Sequence, residues 1–249
     1  MSMRSVLAGS DLLAFNLRNR DRWIQQQAKL IAPGSRVLDV GAGSAPYRSL
    51  FSHCDYKTQD FLQLDDSQLR HGSYAKVDYV SDAKNIPVDD GSFDAIVCTE
   101  VLEHLPEPIA VVREFGRILA PRGRLILTAP LGSGIHQEPF HFYGGYTPFW
   151  YQRFLSEAGF EQISVVGNEG TLRHVSQETI RFVQMTNPIH FGAPWYVRAA
   201  WLPFWIVLAP ILALGVPFAA KLLNRFDREQ RFTVGYHVTA IRSGETGSK

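Results

Sequence analysis

The amino-acid sequence predicts an α/β protein: a mostly parallel sheet flanked by helices, with an apolar helical insertion near its end. Three observations predict it. Short apolar segments rich in β-formers alternate with amphipathic helical ones, the pattern of parallel strands joined by crossover helices. A glycine turn directly follows the first strand. Late in the chain, residues 199–220 form one block of 22 residues without a charge.

The elements follow in order. Ser10 is placed to cap a helix reaching about Leu30, with Leu12, Leu13, Phe15, Leu17, Trp23, Ile24 and Ile31 on its apolar face. Residues 1–33 are therefore expected to be an N-terminal helical cap, ended by Pro33 and Gly34. Residues 36–40 read as a buried strand and 41–45 as a glycine-rich turn. Pro46 suits the first position of a helix reaching about Phe51. Strand two is expected at 55–59, strand three within 74–79, and strand four at 93–98 after the turn 89–92. Residues 107–119 predict an amphipathic helix with Ile109, Val112, Phe115, Ile118 and Leu119 inward. The turn 121–123 leads to strand five at 124–129. A helix over 149–158 is stopped by Gly159, and strand six follows at 161–166. After the apolar block, 232–241 reads as a strand again, and 243–249 as a disordered tail.

Composition excludes several classes. A chain of 249 residues, 45% hydrophobic and 20% charged, has material for a full core. The formal net charge of +1 supplies no field for nucleic acid, so no such partner is expected. Two cysteines, Cys54 and Cys98, cannot form a disulfide framework or a four-cysteine zinc site. They fit a reducing, cytoplasmic compartment. The first eleven residues carry one arginine and no long apolar run, so no signal peptide is expected there.

The sharpest motif is VLDVGAGSAP at 37–46. Glycine lets a ligand approach backbone closely. The dinucleotide fingerprint would need a third glycine at 46, where this chain has Pro46, so a nicotinamide reading weakens. Asp39, two residues before Gly41, suits a cationic ligand better than a pyrophosphate. By charge, the ammonium and sulfonium of S-adenosylmethionine fit. Asp60, 21 residues on, is placed to accept from both ribose hydroxyls. Asp82 is placed to accept from the adenine amino group while the Ala83 amide donates to the ring. Each acid also has a plainer role, as a turn cap for Asp39 and Asp82 or a solvated loop acid for Asp60.

Taken together, VLDVGAGSAPY, SDAKNIPVDDGSFDAIVCTEVLEHLPEP and ILAPRGRLILTAP resemble the class I S-adenosylmethionine-dependent methyltransferases, specifically their type 11 group. The likeness covers roughly residues 30–167 and the last strand. It implies a Rossmann-like seven-stranded sheet of order 3-2-1-4-5-7-6 with the last strand antiparallel. It implies Asp39, Gly41 and Gly43 at the methionine end of the cofactor, Asp60 at the ribose, Asp82 and Ala83 at the adenine, and Thr99 beneath it. The chain departs from the pattern at Ala45, where the family usually has another glycine. On this division, 34–167 with 232–242 is the methyltransferase domain and 168–231 an inserted arm.

Methyl transfer is an in-line displacement from an activated sulfonium, so positioning supplies much of the acceleration. A base is needed only where the acceptor must lose a proton. Candidates for base or acceptor positioning are His104 after strand four, and His136 and His141 in the loop 131–146 after strand five. Structural packing and plain solvation remain their alternatives. His136, Glu138 and His141 are ligand types without the helical spacing of a zinc motif, so no metal is expected.

A helix over 199–220 would be about 33 Å long, enough to cross a bilayer. Strands six and seven flank it and must join one sheet, so both lie on the same side of any membrane and a single crossing is impossible. Prolines 203, 210 and 217 also interrupt a straight helix. An interfacial arm is expected, with a buried lid or a homodimer surface as alternatives. Tryptophans and a local charge of +3 over 198–231 suit an anionic interface. The expected location is cytoplasmic, peripheral or monotopic at the membrane. The expected acceptor is lipid-linked: a glycolipid, a polyprenyl-linked sugar or a quinone precursor. A soluble small-molecule acceptor and a non-catalytic cofactor-binding scaffold are the other readings.

Overall fold

The computed structural model describes residues 14–227 and 231–244; Ser10 and the tail 245–249 lie outside the described residues. The chain divides into two compact units, residues 20–166 with 235–244 and residues 14–19 with 167–234.

The larger unit is built on β1 (Arg36–Val40), β2 (Asp55–Asp60), β3 (Tyr79–Val80), β4 (Phe93–Thr99), β5 (Leu119–Pro130), β6 (Phe160–Gly167) and β7 (Gly235–Arg242). Their order is β3-β2-β1-β4-β5-β7-β6, with β7 antiparallel to β5, as the resemblance implies. Near-continuous apolar strands such as Val37–Leu38 and Ala95–Cys98 are buried on both faces, the mark of a covered parallel sheet. On one face, helices Pro108–Ile118 and Pro148–Glu157 bury Val112, Phe115, Tyr151 and Leu155 against Leu38, Ile96 and Leu127. Thr147 caps the second of these helices, accepting from the Trp150 amide.

Within the expected cap 1–33, helix α1 (Phe15–Ala28) and the residues just beyond it cover the sheet's other face: Ile24, Ala28 and Ile31 pack with Val37, Tyr56, Val97 and Ile126. Two expectations need correction. The third strand is only Tyr79–Val80, because the segment before it bonds through side chains. The Asp78 carboxylate takes the Thr58 amide at 2.9 Å, and the Thr58 hydroxyl donates to the Lys76 carbonyl at 3.0 Å. A short 3-10 turn, Arg48–Phe51, replaces the helix expected from Pro46.

The smaller unit is a helical hairpin. Helix Thr171–Met185 precedes a continuous helical run, Trp195–Phe226, which extends past the apolar block 199–220 at both ends. The prolines do not break it. Pro203 lies inside its first segment, Trp195–Pro210, and a π-helical turn, Ile211–Gly215, follows Pro210. That widened turn is one way a helix absorbs a missing donor and a ring clash. Pro217 sits in the first turn of Val216–Leu223, where proline is tolerated. The long helix caps its partner at both ends. Trp201 and Trp205 donate their indole N–H to the Thr186 and Val183 carbonyls at 2.9 and 3.3 Å. The Gly170 and Leu172 amides donate to Asn224 and Asp227, each at 3.3 Å.

Candidate functional site

The carboxyl ends of parallel strands bring the candidate residues together, where ligands of open α/β sheets bind. Asp39 lies on β1 between Thr58 of β2 and Val97 of β4, and is 2% exposed. The Tyr56 hydroxyl donates to its carboxylate. Burial pushes the Asp39 carboxyl up to about 7; the Tyr56 bond opposes this, and the nearby Asp60 charge adds to it. A carboxylate so placed gains from an arriving cation.

Gly41 and Gly43 follow with φ of +66° and +52°, in the left-handed region that glycine enters without strain. A Cβ at Gly41 would sit 2.5 Å from the Val101 side chain, so the cradle has no room for one. Ala45 takes φ +46° and is buried. The turn therefore closes in glycine-like form despite the extra methyl, at a cost of about 1–2 kcal/mol. The Gly43 amide donates to Asp60 Oδ2 at 2.8 Å and the Leu62 amide to Asp60 Oδ1 at 3.0 Å. Asp60 is thus fixed at the end of β2, and a carboxylate with about four acceptor positions has capacity left for two hydroxyls.

Asp82 and Ala83 lie in the turn after β3. Ala83 is buried, whereas Asp82 is exposed and accepts from the Lys84 amide at 3.0 Å. Thr99 ends β4, opposite Thr128 of β5. Taken together, an acid under a Cβ-free turn and a second acid held beside it fit a cationic nucleoside such as S-adenosylmethionine.

Two supporting residues escape a linear reading. Gln59 accepts from the Gly41 amide at 3.4 Å and donates to the Ser81 carbonyl at 2.6 Å, joining the glycine turn to the loop of Asp82. Tyr56 carries a signal only through register: it pairs with Val37 and so shares the face of Asp39. Just past Thr99, Glu100 pairs with Arg20 at 3.2 Å and accepts from the Thr128 hydroxyl at 2.8 Å.

The histidines meet. His104 lies in the turn Leu102–His104 after β4, and the loop after β5 brings His136 and His141 to it. Ring centroids are 4.7 Å apart for His104 and His136, 5.7 Å for His104 and His141, and 4.6 Å for His136 and His141. The spacing argument against a metal site therefore fails, because it weighed the loop residues without His104. Burial first, and then the neighbouring imidazoles, lower His104 to about 4 against the opposing pull of the Phe140 carbonyl. Beside it, burial holds the Glu103 carboxyl well above its usual range.

A family model described as a methyltransferase domain matches residues 13–177. A ubiquinone biosynthesis O-methyltransferase of Xanthomonas oryzae pv. oryzae (strain PXO99A) is 35% identical over 108 residues, 41% of this chain and 45% of the relative. A sarcosine/dimethylglycine N-methyltransferase of Halorhodospira halochloris is 30% identical over 154 residues, 55% of each chain. The matches thus span about half the length of these relatives. Among solved structures, a putative sarcosine dimethylglycine methyltransferase from Galdieria sulphuraria superposes with a TM-score of 0.54 at 16% identity, covering 92% of this chain and 86% of that one. The [4+2]-cyclase SpnF gives 0.55 at 18%, covering 91% and 81%. At such identities these structures speak to fold alone, and the cyclase illustrates that one fold hosts different chemistries.

Proposed function

Since the chain belongs to the methyltransferase domain family, we propose that it transfers the methyl group of S-adenosylmethionine to a lipid-linked acceptor at the cytoplasmic membrane face. In this reading Asp39 faces the ammonium, Gly41 and Gly43 let the methionine end lie on backbone, and Asp60 takes the ribose hydroxyls. Asp82, Ala83 and Thr99 line the adenine and the floor of the site. The bound sulfonium supplies an activated methyl. What the chain contributes is position: the acceptor atom must lie in line with the sulfur–methyl bond.

His104, His136 and His141 are the groups offered to the acceptor, as base or as positioning contacts. The Nδ1–H of His104 donates to the Phe140 carbonyl at 2.6 Å, and that of His136 to the Gly134 carbonyl at 2.9 Å. Each bond occupies Nδ1, so Nε2 is the ring nitrogen left to face the acceptor.

The observation that carries the membrane reading is the exposed apolar helix. It is the one helix among the described residues long and apolar enough to cross a membrane, and 17% of its most apolar stretch is buried. Phe204, Ile206, Val207, Ile211, Leu214 and Phe218 are all more than half exposed. The hairpin that carries it leaves from β6 and returns to β7, which are neighbours in one sheet, so the two ends of the hairpin stay on one side of a bilayer. The other hairpin helix carries Arg173, Glu178 and Arg181 and does not serve as a return crossing. This favours a helix lying in the interface over a span. A cleft of about 690 Å³ on the same hairpin, lined by Val175, Phe182, Met185, Leu212 and Phe232, suits an acyl or prenyl chain. The competing arrangement is a soluble acceptor with the helix as a homodimer surface.

Flotation tests the two. The full chain is expected to rise with phosphatidylcholine–phosphatidylglycerol vesicles, and Phe204→Gln with Val207→Gln to leave it at the bottom of the gradient. A wild-type chain that stays at the bottom and elutes as a dimer contradicts the membrane reading.

A further inference from the structure

We propose that His104, His136 and His141 form a binding site for a divalent transition-metal ion, zinc by ligand type, with a coordination position left open. One ring nitrogen from each lies within 4.8 Å of the others. Imidazole is a common ligand for zinc, and three histidines with one open position are an established ligand set for it. Two of the rings already have hydrogen-bond partners on the side away from such an ion. The bonds to the Phe140 and Gly134 carbonyls fix the tautomers of His104 and His136, as metal-binding histidines require. The third ring is left wanting: His141 Nδ1 is buried with no hydrogen-bond partner.

The rings meet edge to face, with interplanar angles of 71° to 86°. Among the described residues, the carboxylate paired with them is Glu103, 3.8 Å from His104 Nε2. Tetrahedral zinc at about 2.1 Å from each nitrogen draws them to about 3.4 Å of one another. The loop between β5 and helix Pro148–Glu157 supplies that adjustment: Gly132, Gly134, Gly144 and Gly145 lie in it.

Zinc affinity stands on this geometry alone; its use in catalysis rests on the methyl-transfer reading. In that use, an acceptor hydroxyl on zinc loses its proton to water. The O–CH₃ bond then forms as the S–CH₃ bond breaks. The oxyanion's charge cancels the sulfonium's, and neutral S-adenosylhomocysteine leaves.

The test uses the full chain after chelator treatment, titrated with zinc by calorimetry and with cobalt(II) by its visible absorption. One equivalent is expected to bind, with the strong bands of tetrahedral cobalt. His136→Ala and His141→Ala are each expected to weaken binding at least about 100-fold. Their affinity for S-adenosylmethionine, titrated separately, reports that they still fold. Should either lose it, His136→Gln at the exposed ring takes its place. No stoichiometric binding by the wild type, or unchanged binding in the histidine variants, overturns the proposal. A wild type that binds zinc but not S-adenosylmethionine defeats the methyl-transfer reading and leaves the metal site standing.

Discussion

Replacing Asp60 with alanine is expected to weaken S-adenosylmethionine binding by about two orders of magnitude. Two hydroxyl donors to an ionised acceptor contribute about 1.5 kcal/mol or more each, together near 3 kcal/mol. The loss has a second source in this chain. Asp60 also holds the Gly43 and Leu62 amides, so alanine releases the turn on which the methionine end is proposed to lie. Asparagine keeps an acceptor but not the charge, and is expected to fall between. Calorimetric titration of the three proteins checks the order. Wild-type affinity in Asp60→Ala would remove Asp60 from the site.

The second large effect is a pH profile governed by Asp39. Its carboxyl titrates near 7 because it is buried, well above an ordinary aspartate. Only the ionised form attracts the cofactor's ammonium. Affinity is therefore expected to rise roughly 20-fold between pH 5.5 and 7.5. Asp39→Asn is expected to flatten the profile, lying a few-fold below the wild type at pH 5.5 and much further below it at 7.5. Stability moves the other way. In the cofactor-free protein the folded state holds the proton more tightly than the unfolded chain. That contribution is fully present below about pH 4 and is lost as pH rises through about 7. Asp39→Asn is thus expected to melt higher than the wild type at pH 8 while binding the cofactor less well. A flat wild-type profile, or a variant that is both weaker in binding and less stable at pH 8, contradicts this role for Asp39.

Much of the architecture is legible in the sequence because it is written locally. Parallel strands buried on both faces declare themselves as short apolar runs, and the glycine turn, Asp39 and Asp60 fall at fixed distances from the first of them. Tertiary partners are less visible. Nothing adjacent to Asp39 points to Tyr56, and nothing in the loop 131–146 points to His104. In the sequence, helix Thr171–Met185 does not separate from the apolar arm that follows it. Its carbonyl ends are satisfied from the next helix by Trp201 and Trp205, so those tryptophans serve the hairpin first and are not free interface anchors. The prolines misled for a related reason. Proline breaks an isolated helix, but a π turn after Pro210 and the placement of Pro217 in a first turn let this one continue.

The central claim is methyl transfer to a lipid-linked acceptor. It is tested by incubating the full chain with S-adenosylmethionine labelled in its methyl group, in parallel with a membrane lipid extract and with the soluble metabolite fraction. Label is expected in the organic phase of the lipid reaction, above a control carrying Asp60→Ala. Label confined to the soluble fraction, or in neither despite tight cofactor binding, would contradict the account.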